Sequence, residues 1–175
     1  MADEIGRKAP EGAHGRPGKQ EEVGHVPVLL QEAIDFLAVP AGGTCIDATL
    51  GLGGHSFAIA KLLGPRGRLI GFDKDPLALE RAGERLAKAP AGLEGQWPAI
   101  ETVHASFAEI AGHVEANSAD GILADLGVSS LQLGDPARGF SFQAEGPLDM
   151  RMNPQGDRTA DQVVNRMREE DVANV

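Results

Sequence analysis

Three aspartates and one glycine-rich turn are the features of this sequence that could bind a ligand. Asp47, Asp73 and Asp125 each lie within or at the end of a short apolar run, and the turn 51–54 follows the first run. Glycine leaves the backbone bare, so a ligand can approach closely and the turn's amides can begin a helix. Asp73 stands about 20 residues after the glycines, where a carboxylate can accept hydrogen bonds from a ribose diol. These residues predict a site for a nucleotide-type cofactor, although a turn of this type also occurs without any ligand.

The apolar runs that carry these aspartates have the composition of buried parallel strands. Strands are predicted at 44–49, 68–72 (followed by Asp73), 101–105 and 121–125. Because ligands of open parallel sheets bind outside the carboxyl ends of the strands, the aspartates are expected to converge there.

Helical patterns alternate with these strands and predict an α/β fold with a parallel sheet. Asp75 is a predicted N-cap before Pro76, and Thr159 caps a helix whose pattern continues to the last residue. The predicted helices cover residues 29–37, 56–63, 107–114 and 159–175, and a further helix begins at Pro76 and ends before Pro90.

Two segments do not fit the alternation. Residues 126–154 are predicted to be a long loop, which is either a lid packed by Phe140 and Phe142 or a loop that grips a substrate. The connection before the third strand carries Trp97, which is expected to cover the sheet edge rather than to stack on a base. The basic residues after position 136 are all arginines, suited to phosphate contacts or to a solvated helix face.

Composition limits the classes of function. The 175 residues are enough for about one domain, and 42% of them are hydrophobic. A net charge of -10 argues against non-specific nucleic-acid binding, so any RNA contact is expected to be local. Cys45 is the sole cysteine and is predicted to pack in the core. No metal-ligand spacing, apolar membrane span or signal peptide is present, so no metal is predicted and a cytoplasmic location is expected.

Six motifs in order resemble the bacterial small-subunit rRNA (cytosine-N4)-methyltransferases, the MraW family. The resemblance begins at His25 and extends to the last residue. The motifs are HVPVLL (25–30), DATLGLGGHS (47–56), GFDKDP (71–76), DLGVSS (125–130), RGFSF (138–142) and GPLDMRM (146–152).

The resemblance implies a class I S-adenosylmethionine-dependent methyltransferase fold with a helical substrate-binding insertion after the fourth strand. It also implies a cofactor-binding domain at 23–150 and the start of the insertion at 151–175. Residues 1–22 have too few large apolar side chains to offset their ordering entropy, so their composition predicts a disordered tail. The implied substrate is a cytidine N4 amino group in small-subunit ribosomal RNA, within an assembled or assembling subunit. The implied cofactor-binding residues are Gly53, Gly54, His55, Asp73, Phe107, Asp125 and Gln132.

A cytosine amino group is a poor nucleophile, whereas a sulfonium methyl group is already activated, so catalysis is expected to consist mostly of positioning in a dry pocket. Asp125, Ser129 and Ser130 are the candidate catalytic residues, as acceptors for the amino hydrogens. Many amino-group methyltransferases carry Asp/Asn-Pro-Pro-aromatic here. This chain has DLGV at 125–128, so their mechanism is not transferred.

Family members are longer than this chain. We therefore expect a fragment with weak or no turnover, in which the fourth strand is an unpaired apolar edge. Two alternatives remain open, a non-catalytic S-adenosylmethionine-binding remnant and a nicotinamide-dependent oxidoreductase. The full dinucleotide fingerprint of the second would need glycine where Ser56 stands.

Overall fold

A four-stranded parallel sheet forms the centre of the computed structural model, which describes residues 27–156 and 158–174. The tail predicted at 1–22 and the first two residues of the HVPVLL motif lie outside the described residues. The strands are β1 (Thr44–Asp47), β2 (Arg68–Asp73), β3 (Ala99–His104) and β4 (Gly121–Leu123).

The strands are ordered β3-β2-β1-β4, and every pair is parallel. Ile46 of β1 pairs with Ile70 of β2 on one side and with Ile122 of β4 on the other. The chain therefore extends the sheet in one direction up to β3 and then returns to the opposite side of β1. Such a reversal of strand order opens a crevice at the carboxyl ends of the strands, where doubly wound folds bind ligands.

Helices cover both faces of the sheet, as the alternating pattern predicted. The helices before β4 are α1 (Leu30–Leu37), α2 (Gly54–Leu63), α3 (Pro76–Leu86), and a 3₁₀ turn (Phe107–Glu109) that runs into α4 (Ile110–His113). After β4 come α5 (Ser130–Gly134), a second 3₁₀ turn (Pro136–Arg138), α6 (Ala160–Arg166) and α7 (Glu169–Val172).

Alternate residues of the strands enter different hydrophobic clusters. Cys45 and Leu69 pack with Ile59 and Leu63 of α2, and the apolar stripe of α1 closes this cluster. Ile46, Ile70 and Phe72 point to the other face, where Ile110 and Val114 pack against them. The predicted core position of Cys45 is confirmed.

The structure corrects three sequence-based expectations about the elements. β1 and β4 each end two residues earlier than predicted, so Asp125 follows its strand rather than closing it. Residues 126–154 are not structureless, because a capping box formed by Ser129 and Gln132 supports one short helix, and Asp135 and Pro136 begin a second. The C-terminal helix is broken at Met167, whose backbone is extended.

The structure decides two predictions about aromatic residues, the cover of the sheet edge by Trp97 and the lid packed by Phe140 and Phe142. Trp97 is half-buried against the edge of the core, and its Nε1 donates to the Leu86 carbonyl at 2.8 Å, as expected for a residue that covers the sheet. Phe142 is fully exposed, so a lid packed by both phenylalanines is wrong. Among the described helices, none is both long enough and apolar enough to cross a bilayer.

Candidate functional site

A cavity of about 700 Å³ lies at the carboxyl ends of β1, β2 and β4. This volume falls within the roughly 300–1,000 Å³ typical of small-molecule sites. The sequence-predicted residues that line it are Gly54, His55, Asp73, Phe107, Asp125, Ser129, Ser130 and Gln132. The fold therefore gathers at one rim side chains that are up to 78 positions apart in sequence, counting from Gly54 to Gln132.

The glycine turn contributes to the cavity with two of its three glycines. Gly51 and Gly54 line it, whereas Gly53 does not. Gly53 has a φ of +71°, and a Cβ built there would lie 3.2 Å from the Cβ of Ala82 on α3. Glycine at position 53 is thus required by backbone conformation and helix packing, not by room for a ligand.

Asp73 joins the glycine turn to the end of β2. Its Oδ2 accepts a hydrogen bond from the Gly51 amide at 2.8 Å, and its Oδ1 accepts from the Asp75 amide at 2.9 Å. Each carboxylate oxygen has two lone pairs, so both can still accept a hydrogen bond from a ligand hydroxyl. The carboxylate is half-buried at the cavity wall and is held in a fixed orientation suited to a ribose diol.

Asp47 does not line the cavity, although the sequence placed it with the other two aspartates. Its side chain is buried, with Oδ2 accepting from the Ser56 hydroxyl at 2.7 Å and Oδ1 from the Thr49 amide at 3.1 Å. Burial raises the pKa of Asp47, and the two hydrogen bonds only partly oppose that effect. Asp47 therefore fixes the start of α2 from below the cavity.

Asp125 and His55 form the polar wall next to β4. The Asp125 amide donates to the Thr49 hydroxyl at 2.7 Å, which anchors this residue to the end of β1. Its carboxylate is 58% exposed and lies 3.9 Å from Nδ1 of the largely buried His55. Asp125 is thus a hydrogen-bond acceptor that faces the cavity, with a histidine beside it.

The remaining predicted residues differ in how much of their bonding capacity the protein already uses. Phe107 is half exposed at the cavity wall and presents a flat apolar surface. Ser129 caps α5 by accepting from the Gln132 amide at 3.2 Å, and Ser130 is exposed at the first turn. Gln132 is buried, and its side chain accepts from the Ser129 amide and donates to Asp75 at 3.2 Å.

Sequence reasoning missed several parts of the wall. Lys74, Arg85 and Met152 also line the cavity. Arg138 lies behind it, and its Nη1 donates to the buried carboxylate of Asp75 at 2.8 Å. The sequence signal for this pair was an Asp-x-Asp repeat at the end of β2, but nothing local indicates a partner 63 residues away.

Comparisons with known proteins agree with one another. A model of the MraW methylase family matches residues 22–175. "Ribosomal RNA small subunit methyltransferase H" of Koribacter versatilis is 58% identical over 173 residues, which are 99% of this chain and 54% of that protein. The protein of the same name from Acidobacterium capsulatum is 56% identical over 151 residues, which are 86% of this chain and 51% of that protein. The chain thus spans about half the length of the curated relatives it matches.

A solved structure described as an rRNA methylase from Streptococcus thermophilus superimposes with a TM-score of 0.40 at 23% identity. The match covers 53% of this chain and 47% of the other. With so low a score, the fold assignment rests on the observed strand order and on the family match.

Proposed function

Because this chain belongs to the MraW methylase family, we propose that it binds S-adenosylmethionine and serves methylation of a cytidine N4 amino group in small-subunit ribosomal RNA. The observation that carries the proposal is the single cavity shared by Asp73, Asp125, Phe107 and the glycine turn. The parallel sheet with strand order β3-β2-β1-β4 is the arrangement expected of a class I methyltransferase.

The donor set suits an adenosine that carries an amino-acid tail. Asp73 is the residue for the ribose hydroxyls, and Phe107 offers its ring to the adenine. Gly54 and His55 are assigned to the turn side of the cofactor, and Asp125 and Gln132 to its methionine end. Asp125 suits that end because a carboxylate binds a cationic amine by a charge-assisted hydrogen bond. Gly53 supports the turn without touching the ligand.

The cofactor, when bound, supplies a methyl group activated by the positive charge of the sulfonium. The protein is left to position the acceptor amine within about 3–3.5 Å of that carbon and to exclude water. Asp125 is the best-placed acceptor for an amino hydrogen, because its carboxylate is exposed to the cavity and its backbone is anchored to Thr49. Ser129 and Ser130 contribute hydroxyl groups at the same wall.

The proposed substrate follows from the names of the relatives, which are small-subunit rRNA methyltransferases. A cytosine has to leave its stack to reach a cavity at the end of a sheet. The net charge of -10 makes a broad electrostatic grip on RNA unfavourable, so recognition is assigned to local contacts around the cavity. We assign residues 23–150 to the cofactor-binding domain and 151–175 to the substrate side.

Titration calorimetry with S-adenosylmethionine and with NADH tests the cofactor assignment. Binding of the first and not the second is expected. The nicotinamide alternative is weakened by Ser56, which is buried and bonded to Asp47 at the position where the fingerprint needs glycine. Binding of NADH alone would overturn the cofactor assignment.

Transfer of tritium from labelled S-adenosylmethionine to small-subunit particles tests the substrate. Label recovered in N4-methylcytidine after nuclease digestion supports it, and label in another nucleoside contradicts it. Cofactor binding without any transfer would favour the non-catalytic binding protein that the sequence left open.

A further inference from the structure

The guanidinium of Arg138 binds two parts of the chain at once. Its Nη1 donates to the Asp75 carboxylate at 2.8 Å, and its Nη2 donates to the carbonyls of Arg151 and Met152 at 2.9 and 3.0 Å. The Arg138 side chain is only 13% exposed. The planar fork of arginine can serve both directions in one geometry, which a single ammonium group cannot.

Asp75 is the fixed end of this arrangement. It is fully buried, and its Oδ1 accepts from the Leu77 amide as the cap of α3. Its Oδ2 accepts from both Arg138 and the side chain of Gln132. Its amide donates to Asp73, so the carboxylate proposed to bind ribose lies one hydrogen bond away. The position of Asp75 is thus set by β2 and α3, not by the segment it holds.

The groups held by this pair form part of the cavity wall. Gln132, Met152 and Asp73 all line the cavity. Two hydrogen bonds to the same carboxylate oxygen of Asp75 therefore tie the segment after β4 to the end of β2, one from Gln132 and one from Arg138. Cutting the Arg138 contact frees the Met152 carbonyl and leaves the Gln132 contact in place.

A buried ion pair is weak evidence for stability, since desolvation of the two charges offsets much of their attraction. The Arg138–Asp75 pair is distinguished by the groups that the second guanidinium nitrogen, Nη2, contacts. Its two acceptors belong to the backbone of a cavity-lining residue and of its neighbour. The hydrogen bonds from Nη2 of Arg138 thus fix the position of this part of the cavity wall.

We propose that Arg138 is a positioning residue. Paired with Asp75, it holds Met152 in place as part of the cavity wall and so sets the affinity for an adenosine-type cofactor. The inference rests on the proposed function for the identity of the ligand. The role of Arg138 in placing Met152 does not depend on which ligand binds. Arg138 touches no ligand itself and acts through the backbone of Met152.

The test uses Arg138→Gln and Arg138→Lys, with Arg68→Gln as the matched control, since Arg68 forms a half-exposed ion pair with Glu101 on the sheet. Calorimetry with S-adenosylhomocysteine is expected to show at least a tenfold higher Kd for Arg138→Gln. The control is expected to remain within twofold of the unaltered chain. Arg138→Lys keeps a charge beside Asp75 and is expected to give an intermediate Kd, because it cannot replace all three hydrogen bonds.

Methyl NMR of labelled methionine gives a second readout that does not depend on binding. The chain has four methionines, and Met152→Leu identifies the signal of interest. In the ligand-free Arg138 variants the Met152 methyl is expected to move toward its random-coil position, with the Met167 methyl unchanged. Should Arg138→Gln not fold, the double variant Asp75→Asn/Arg138→Gln removes both charges and carries the same expectation.

The possible failures can be told apart. If the unaltered chain does not bind S-adenosylhomocysteine, the proposed function fails, and the Met152 signal still decides the positioning role. If a folded Arg138 variant binds within twofold of the unaltered chain, or if its Met152 signal is unchanged, the positioning role is wrong.

Discussion

Asp47, Asp73, Asp75 and Asp125 have the same side chain and four different environments. Asp47 and Asp75 are buried and spend their oxygens on internal donors. Asp73 is half-buried with a lone pair left on each oxygen, and Asp125 is exposed to the cavity. At the residue scale, burial and prior hydrogen bonding decide which carboxylate can serve a ligand.

Asp73→Asn tests the role of the half-buried carboxylate. The amide side chain keeps one acceptor but loses the charge and one acceptor oxygen, so we expect S-adenosylmethionine to bind at least about tenfold more weakly, equivalent to roughly 1.4 kcal/mol. Asp35→Asn on the exposed surface of α1 is the control. Calorimetry that finds the two variants equal would contradict the assignment of Asp73 to the ribose.

The raised pKa of Asp47 predicts that its contribution to stability depends on pH. Its pKa in the folded protein is raised above the ordinary value of 3.8, so the folded state binds the proton more tightly than the unfolded state. The contribution of Asp47 to the free energy of unfolding must therefore fall as the pH rises from below 3.8 through the folded pKa, and level off above it. Asp47→Asn lacks this contribution.

Urea unfolding of both proteins between pH 3 and pH 8 checks the sign. The stability of the unaltered chain minus that of Asp47→Asn is expected to decrease with rising pH and then become constant. A difference that grows with pH would mean that the hydrogen bonds from Ser56 and Thr49 outweigh burial.

At the scale of the element, two glycines have different structural roles: Gly53 packs against helix α3, and Gly83 lies within it. Gly53 adopts a positive φ and packs against Ala82, whereas a Cβ added at Gly83 meets nothing within 4 Å. Gly83 lies inside the helix, where glycine costs backbone entropy without any packing reason for it. The same residue type is therefore required at one position and unfavourable at the other.

This contrast predicts opposite effects of the same substitution. Gly53→Ala is expected to lower the free energy of unfolding by about 1–3 kcal/mol, from backbone strain and crowding at Ala82. Gly83→Ala is expected to raise it by about 0.5–1 kcal/mol. Chemical denaturation monitored by circular dichroism measures both. A tolerant Gly53→Ala would show that the turn can relax, and the packing argument for that glycine would then fail.

At the scale of the whole molecule, the sheet has an apolar edge. Within the described residues β4 pairs only with β1, and Ile122 on that strand is 56% exposed. An exposed apolar edge strand is a template for pairing with another chain. The described sheet thus agrees with the edge expected from the sequence.

Ile122→Lys should reduce self-association, because a charge on the edge opposes strand pairing between chains. Dynamic light scattering over a concentration series is the measurement. Leu62→Lys is the control, since Leu62 is 48% exposed but lies on helix α2. If both variants lower the scattering equally, general surface charge rather than the strand edge is responsible.

The sequence by itself determined the alternation of strands and helices, the distance from the glycine turn to Asp73, the caps at Asp75 and Thr159, and the family. These features depend on side-chain periodicity, on local turn chemistry and on motif order, all of which are visible along the chain. Tertiary structure alone decided that Asp47 is buried below the cavity, that Gly53 faces α3, and that Arg138 pairs with Asp75. Each of these outcomes depends on the full three-dimensional packing around the residue, and for Arg138 the partner lies 63 positions away. Such contacts arise only when the sheet order brings distant segments together, and no local pattern encodes them.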